Sequence, residues 1–513
     1  MDRRAFAILR GVVLLGLVVL LVAACRPAEE EASPAASPTH EPTATPSPEP
    51  AAAPSWEPVE CGFLGSGSSK CGYLVVPEDR TQPDSRMIRL YAVVAPAASD
   101  NSKPDPIVFL SGGPGAPAVV AVDHYRGLLR TMLQERDLVA FDQRGVGLSE
   151  PALDCPEYEQ ALLETYGADV SSEEARQRMF DAVRACRDRL TEEGVNLSAY
   201  TSAASAADVH DLMEALGYER YNLYGGSYGT RLALTIMRDY PDEVRSAVLD
   251  SVEPLQEDAL ELRAIFVQQA LERVFEQCAS SETCNEEYPN LAETFFSLVE
   301  KLEEEPLPVR ARGTTYQVGA DEFIELILMG MYEPAGISGL PSLIGQAADG
   351  QTFWLTSAVD TVLSLSDIIW EGMHFSVLCA EEVPFNSGAD AAEINADVHP
   401  AIVRGLQADN LPWLMQLCEM WGAAEANAIE DEPVRVDVPT LILTGEFDPV
   451  APEDFAIATA EYLGKGQSFV IPGQTHDVLS SSTCAREIMK QFLDAPEETP
   501  DSSCLDQLGM RFN

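Results

Sequence analysis

The residues with the clearest chemical use are a serine flanked by glycines, in the run Gly-Gly-Ser-Tyr-Gly at 225–229. An apolar segment precedes this run and a helical pattern follows it. A strand-to-helix turn that exposes a serine strains the backbone, so the positions two before and two after the serine must lack bulk. Gly225 and Gly229 occupy those positions. The spacing therefore predicts that Ser227 is a nucleophile at the carboxyl end of a sheet.

A second glycine-rich loop, Ser-Gly-Gly-Pro-Gly at 111–115, follows a predicted strand at 106–110. A serine that attacks a carbonyl group needs two preorganised N–H donors around the oxygen that becomes negative. The N–H of Tyr228, at the start of the predicted helix, can supply one donor. The N–H of Gly112 or Gly113 can supply the other, because glycine permits close approach. The two loops together predict an oxyanion hole.

These two loops and the segment Phe-Asp-Gln-Arg-Gly-Val-Gly-Leu-Ser at 141–149 resemble the prolyl/tripeptidyl aminopeptidase family of α/β-hydrolases. The resemblance extends over most of 61–504 and is closest to the exported, tripeptidyl-aminopeptidase-like branch. One departure is that the family commonly begins its oxyanion loop with histidine, where this chain has Ser111. Because the donors are backbone N–H groups, this difference leaves the predicted hole possible. Asp142 and Arg144 are expected to brace the loop through buried charge pairing.

The resemblance implies the α/β-hydrolase fold, whose catalytic groups follow the chain order serine, acid, histidine. Three of the six histidines come after Ser227. Two of them, His374 and His399, precede the point where the strand pattern resumes. His476 follows the last predicted strand on a loop that contains glycine, so it is the predicted general base.

The acid should close the preceding strand, which is predicted at 440–444. Asp448 lies in the tight loop after that strand, and Glu446 is the alternative. A carboxylate there would accept a hydrogen bond from Nδ1 of His476 and stabilise the imidazolium. The run Gly-x-x-Asp-Pro-Val also matches the family pattern, which assigns the acid to Asp448. The reaction that follows needs no metal and no organic cofactor.

A carboxylate for the substrate is the next expectation, because an aminopeptidase must bind a free α-ammonium group. In the family, the Cys-x-Glu segment lies beside the active site, and here that segment ends at Glu381. Glu381 is therefore the first choice for this role and Glu382 the second. A partly buried carboxylate would reject blocked substrates, which leave it unpaired.

The elements that would position these residues alternate between strands and helices up to about residue 254. This alternation predicts a mostly parallel sheet flanked by helices. Helical periodicity replaces it from 255 to 427, and strands then return, which predicts an inserted helical cap. The predicted organisation is a lipoprotein signal peptide at 1–24, a Pro/Ala/Glu-rich disordered tether at 25–57, the hydrolase core at 58–254 and 428–513, and the cap at 255–427.

The first 25 residues are typical of an export signal. Arginines precede an apolar run at 11–24, which is shorter than the roughly 20 residues of a membrane-spanning helix. Cys25 follows small residues, as in a bacterial lipobox, so it is the predicted lipidation site and membrane anchor. A plain cleaved signal, an uncleaved anchor and a twin-arginine signal at Arg3 and Arg4 are the alternatives.

The cysteine count agrees with export. Eleven cysteines occur, and ten remain when Cys25 is set aside. An even number in an exported chain favours disulfides, and pairing of sequence neighbours is the simplest arrangement. The predicted disulfides are Cys61–Cys71, Cys155–Cys186, Cys278–Cys284, Cys379–Cys418 and Cys484–Cys504. The spacings lack a tight Cys/His cluster, which argues against a metal site.

The composition limits the remaining function classes. The chain has 513 residues, of which 46% are hydrophobic and 23% charged, as in globular proteins. Its 33 basic and 83 acidic residues give a net charge of −50, which argues against a nucleic-acid partner. We expect a monomeric, lipid-anchored serine exopeptidase that acts on peptides with a free N-terminus. An esterase or amidase and an inactive surface binding protein are the alternatives.

Overall fold

The computed structural model describes residues 53–512 apart from 63–68, 169–171, 366–367, 387–392 and 407–410. The predicted signal peptide, the lipidation site Cys25 and most of the predicted tether lie outside these residues. None of the helices in the described ranges has the length and apolar character needed to span a bilayer.

The described residues form eleven strands. They are β1 (Ser55–Val59), β2 (Lys70–Pro77), β3 (Met87–Ala95), β4 (Ile107–Leu110), β5 (Leu138–Phe141), β6 (Tyr221–Gly226), β7 (Val244–Asp250), β8 (Leu307–Ala311), β9 (Thr314–Val318), β10 (Thr440–Gly445) and β11 (Gly466–Ile471). Nine of them make one sheet in the order β1-β2-β3-β5-β4-β6-β7-β10-β11. β1, β2, β3 and β5 pair antiparallel, and every pair from β5 to β11 is parallel. The mostly parallel sheet predicted from the sequence is confirmed.

The helices follow in chain order. They are α1 (Val122–Leu128), α2 (Pro156–Thr165), α3 (Ser172–Glu192), α4 (Ser202–Leu216), α5 (Tyr228–Asp239), α6 (Ala259–Ser280), α7 (Glu282–Glu287), α8 (Leu291–Glu304), α9 (Ala320–Gly330), α10 (Pro334–Ala348), α11 (Phe353–Leu365), α12 (Glu371–Glu381), α13 (Pro400–Gly405), α14 (Leu411–Trp421), α15 (Glu453–Tyr462), α16 (Val478–Ser481) and α17 (Thr483–Asp494).

Helices cover both faces of the sheet. Side chains of successive residues in a strand point to opposite faces, and on β4 they enter two different apolar clusters. Val108 and Leu110 pack in the cluster that contains residues of α4 and α5, whereas Ile107 and Phe109 pack in the cluster that contains residues of α1 and α17. All four residues of β4 are buried, which explains why this strand has an uninterrupted apolar sequence.

A largely helical region, α6 to α14, lies in the chain between β7 and β10. It has an apolar cluster that includes Phe295 and Phe323. The helical pattern gave no indication of β8 and β9, which form a two-stranded antiparallel hairpin within this region. Arg312 and Gly313 connect them with φ angles of 48° and 84°. Two consecutive positive φ values produce the tight turn that suits the twist of a hairpin.

The folded part begins slightly earlier than the predicted end of the tether at residue 57. β1 starts at Ser55 and pairs with β2. The indole ring of Trp56 packs over Gly72, where any Cβ atom would overlap it. This close packing extends the sheet into the end of the proline-rich segment.

Five disulfides are formed, and they join the five neighbouring pairs named from the sequence. They are Cys61–Cys71, Cys155–Cys186, Cys278–Cys284, Cys379–Cys418 and Cys484–Cys504. Cys379 belongs to α12 and Cys418 to α14, so this disulfide joins two helices of the inserted region. Loop closure by such bonds stabilises the fold mainly by restricting the unfolded chain.

Candidate active site

Ser227 is the single residue between the end of β6 and the start of α5, and it has a φ of 55° and a ψ of −131°. This conformation is rare for a residue with a side chain, and such strain is concentrated at functional sites. The turn is possible because its neighbours lack side chains. A Cβ atom on Gly225 would overlap the carbonyl oxygen of Gly229, and one on Gly229 would overlap that of Leu110. The geometry is that of the predicted nucleophile elbow.

The oxyanion loop lies directly against this serine. A Cβ atom on Gly112 would be 3.0 Å from the carbonyl oxygen of Gly226 and 3.1 Å from Cβ of Ser227. Gly113 has a φ of 114°, which only glycine adopts without strain. Tyr228 is the first residue of the twelve-residue helix α5, so its N–H lies at the positive end of the helix dipole. Backbone donors from both predicted sources therefore border Ser227.

The segment after β5 holds the oxyanion loop in place. Both carboxylate oxygens of Asp142 accept backbone N–H groups at 2.9 Å, from Val119 and from Leu148. The side-chain amide of Gln143 donates to the carbonyl oxygen of Ser111 at 3.2 Å. The expected bracing is therefore present, but the expectation of charge pairing was wrong for Asp142, whose partners are backbone amides. Burial raises the pKa of this carboxyl group to about 6.

Charge pairing does occur at Arg144. Its guanidinium group forms two hydrogen bonds with the carboxylate of Asp208, at 2.8 and 2.7 Å, and both side chains are fully buried. It also donates to the carbonyl oxygens of Glu78 and Ala199. A buried bidentate pair of this kind is structural, because both charged groups are removed from solvent and bonded to the protein itself.

The predicted acid and base are hydrogen-bonded to each other. Nδ1 of His476 lies 3.0 Å from Oδ2 of Asp448 and 3.2 Å from Oδ1. Oδ1 of Asp448 also accepts the backbone N–H groups of Val450 and Ala451 at 2.9 Å. Burial works to raise the pKa of Asp448, but His476 and these two N–H groups lower it overall. The carboxylate is thus ionised and oriented to stabilise an imidazolium.

Three further carboxyl and hydroxyl groups hold the histidine loop. The carboxylate of Asp250, at the end of β7, accepts the N–H groups of Val478 and Leu479 at 2.9 Å. The hydroxyl group of Ser251 accepts the N–H of Asp477 at 3.0 Å. Glu446, the alternative acid, accepts the N–H of Gly473 at 2.7 Å and so contacts the start of the same loop. The sequence reasoning missed Asp250 and Ser251, although their position at the end of the strand beside β6 could have indicated them.

The Ser227 hydroxyl group makes a contact that the sequence did not predict. It donates a hydrogen bond to Oε1 of Glu253 at 3.1 Å. Among the described residues, no hydrogen bond joins Ser227 to His476. His476 is hydrogen-bonded to Asp448, and Ser227 is hydrogen-bonded to Glu253. Glu253 nevertheless acts on both, because its charge also raises the pKa of His476. Ser227, His476 and Asp448, the residues predicted as nucleophile, base and acid, therefore lie at one edge of the sheet beside an additional carboxylate.

The electrostatic surroundings of His476 predict the pH dependence of the nucleophile. Burial works to lower the pKa of this imidazole, but Asp448 and Glu253 raise it to about 9 overall. The imidazole can accept a proton only when it is neutral. We therefore expect the rate of covalent labelling of Ser227 by an uncharged fluorophosphonate to rise about tenfold per pH unit and level off above about pH 9.

This pH dependence is measured as the second-order rate constant of labelling between pH 5.5 and 10. The uncharged probe is chosen because the α-amino group of a peptide titrates near pH 8 and would add its own limb to the profile. A rate constant that does not change between pH 6 and 9 would contradict the role of His476 as the base.

The two predicted substrate carboxylates are placed differently. Glu381 is buried, and its oxygens accept the N–H and the hydroxyl group of Ser202, at 2.5 and 2.6 Å. Glu382 pairs with Nη1 of Arg231 at 2.5 Å and lines a cavity beside the active site. Glu381 is the last residue of α12 and Glu382 is the residue after it, and of the two it is Glu382 that lines the cavity. The geometry reverses the order of preference expected from the sequence.

This cavity has a volume of about 100 Å³. It borders the oxyanion loop at Gly113 and Pro114 and the start of α5 at Tyr228. Charged or titratable side chains from Arg231, Glu253, Arg263, His374 and Glu382 also line it. His374, which the sequence placed in the cap, therefore borders the site without being the base.

One group of metal-type side chains occurs among the described residues, His210, Asp211 and Glu214 on α4. Nδ1 of His210 is hydrogen-bonded to Glu243 at 2.7 Å, and Asp211 forms an ion pair with Arg80 at 2.7 Å. These partners account for two of the three groups, so the cluster is explained by protein contacts.

Comparison with known proteins agrees with the geometry. A family model of the alpha/beta hydrolase fold matches residues 105–311, and a model described as TAP-like protein matches residues 407–504. Serine protease Hip1 of Mycobacterium tuberculosis is 24% identical over 460 residues, which cover 83% of this chain and 85% of that protein. Tripeptidyl aminopeptidase of Streptomyces lividans is 24% identical over 411 residues, which cover 76% of this chain and 74% of that protein.

A solved structure, that of proline iminopeptidase from Mycobacterium smegmatis, superposes with a TM-score of 0.38 at 14% identity and covers 83% of this chain and 98% of that one. The first family model covers β4 to β8 and the second covers α14 to α17, so each extends into the inserted region. The chain is a hydrolase with the α/β-hydrolase fold, and its C-terminal part is similar to the TAP-like family.

Proposed function

We propose that this chain is an extracytoplasmic serine exopeptidase that releases N-terminal residues from peptides and is anchored to the membrane by a lipid on Cys25. The observation that carries the proposal is the cavity beside Ser227, which is lined by the carboxylates Glu253 and Glu382. A free α-ammonium group is a natural partner for carboxylates there. The names of the two relatives, a serine protease and a tripeptidyl aminopeptidase, support peptides as substrates.

The mechanism follows from the positions of the groups. His476 takes the proton of Ser227 as Oγ attacks the peptide carbonyl carbon, and the backbone N–H groups stabilise the oxyanion. The C–N bond then breaks, and the leaving amine takes the proton from His476. Water, deprotonated by the same imidazole, hydrolyses the ester and restores Ser227. Asp448 stabilises the imidazolium in both steps.

The proposed location rests on two sequence and structural features. The pattern around Cys25 is that of a lipobox, and the five disulfides suit an oxidising compartment. The segment at 26–55, rich in proline and alanine, would act as a spacer between the membrane and the folded part.

Paired substrates test the exopeptidase activity. We expect the purified protein to release nitroaniline from trialanyl-p-nitroanilide with a kcat/KM at least about 100-fold higher than from its N-acetylated form. The reason is that the blocked substrate lacks the positive charge that Glu253 and Glu382 would bind, and loss of one such charge pair costs about 3 kcal/mol. The Ser227→Ala variant is the control for background hydrolysis. Equal rates on both substrates, or cleavage of simple esters alone, would favour the esterase alternative.

A further inference from the structure

We infer that Glu253 binds the α-ammonium group of the very residue whose carbonyl group Ser227 attacks, so that one amino acid is released in each turnover. This inference rests on the proposed exopeptidase function and specifies where the substrate begins. It concerns a residue that lies outside the segment from which a substrate carboxylate was expected. Four features support this assignment: the position of Glu253, the distances around it, its charge partners and the size of the cavity.

Glu253 is attached firmly to the nucleophile elbow. It follows the end of β7 by three residues, and its backbone N–H donates to Oγ1 of Thr230 at 2.9 Å. The hydroxyl group of Thr230 in turn donates to the carbonyl oxygen of Ser227 at 2.6 Å. The carboxylate is therefore held at a fixed place relative to Oγ. A substrate contact with it would fix the position of the N-terminus along the peptide.

The distances select the residue that is bound. Oε1 of Glu253 lies 3.1 Å from Oγ of Ser227. In the acyl-enzyme, the α-nitrogen of the acylated residue is about 2.5 Å from the carbonyl carbon that is bonded to Oγ. A carboxylate oxygen beside Oγ can therefore contact that nitrogen. In an extended tripeptide the N-terminal nitrogen would lie about 7 Å further away, since each residue adds about 3.3–3.6 Å.

Charge pairing distinguishes Glu253 from its two acidic neighbours. Glu381 and Glu382 both lie within ion-pairing distance of the guanidinium group of Arg231. The hydrogen-bond partner of the Glu253 carboxylate is instead the neutral hydroxyl group of Ser227. Burial raises the pKa of Glu253, although His476, Ser227, Arg231 and Arg263 oppose this effect. A substrate ammonium ion would compensate the cost of burying this negative charge.

The cavity size is also consistent with a single residue. At about 100 Å³ it is smaller than a 150 Å³ cavity that accepts a benzene molecule. Its apolar wall suits one small apolar side chain of a substrate. The residues of this wall are Pro254, Ala259, Leu260, Val377, Leu378 and Val450.

Binding would also free the nucleophile. The Ser227 hydroxyl group donates to Glu253 rather than to His476. An ammonium ion is a stronger partner for the carboxylate than a hydroxyl group. When it takes this place, the hydroxyl group can turn to the imidazole and lose its proton there. A blocked N-terminus would leave the serine bound to Glu253.

The first test follows the products over time. We expect the protein to cleave alanyl-p-nitroanilide directly. With trialanyl-p-nitroanilide, mass spectrometry should detect free alanine first, and nitroaniline should appear only after a lag. Release of intact trialanine with no free alanine would overturn the inference while the exopeptidase proposal stood. Failure to cleave any free-amine anilide would overturn the proposed function itself.

The second test compares two carboxylates of one loop. We expect Glu253→Gln to lower kcat/KM for alanyl-p-nitroanilide by at least about 100-fold, because the amide carries no charge. The variant should still be labelled at Ser227 by a fluorophosphonate, with a lower pH midpoint than the wild type. Glu257→Gln is the matched control and should behave as the wild type. Unchanged kinetics in Glu253→Gln would overturn the assignment.

Discussion

Replacing Ser227 with alanine should lower kcat/KM by about 10⁶-fold and leave the protein folded. The size of the loss follows from the role of the nucleophile, because removal of one member of such a triad abolishes the acyl-enzyme route. Folding should be preserved because alanine keeps the Cβ atom that packs against Gly112. The hydroxyl group makes one hydrogen bond, to Glu253, whose loss costs about 1 kcal/mol.

The rate of hydrolysis of a free-amine anilide measures the loss of activity. Thermal unfolding followed by circular dichroism measures whether the variant remains folded. Ser280→Ala is a suitable control, since Ser280 is exposed at the end of α6 and bonds only to the carbonyl oxygen of Gln277. A variant at 227 that is folded and retains substantial turnover would show that the nucleophile lies elsewhere. Loss of the folded state would contradict the expected tolerance of the turn.

The position of the active site could be predicted because the fold gathers strand ends. In a parallel sheet the carboxyl ends of neighbouring strands meet at one edge, where ligands bind. Each predicted catalytic group follows such an end in the sequence. Local sequence patterns were sufficient for these predictions, because each motif lies within about ten residues of the strand that precedes it.

Glu253 could not be predicted with the same ease. The chain contains 83 acidic residues, and nothing in the local sequence separates a half-buried glutamate beside Ser227 from a solvated one. Its contact with Ser227 depends on how β7 sits beside β6, which is a tertiary arrangement. The same limit applies to Glu381 and Glu382. The motif placed this pair near the site, but the packing of α12 against Arg231 and Ser202 decided which carboxylate reaches the cavity.

Replacing Asp448 with asparagine should lower kcat/KM by about 10⁴-fold with little change in structure. The amide oxygen can still accept the N–H groups of Val450 and Ala451, which hold the aspartate at 2.9 Å. The amide nitrogen, however, would donate to Nδ1 of His476 and favour the wrong tautomer. The carboxylate charge that raises the pKa of His476 would also be lost, so the remaining labelling by a fluorophosphonate should have its pH midpoint well below 9.

The comparison with Glu446→Gln makes this prediction specific, because Glu446 is the other carboxylate that follows β10. Glu446 accepts the N–H of Gly473, and a glutamine oxygen at that place can accept the same bond. We therefore expect a loss of less than about tenfold for Glu446→Gln and no shift of the pH midpoint. If the two losses were exchanged, Glu446 would be the acid. In that case the hydrogen bond between Asp448 and His476 would serve only to orient the loop.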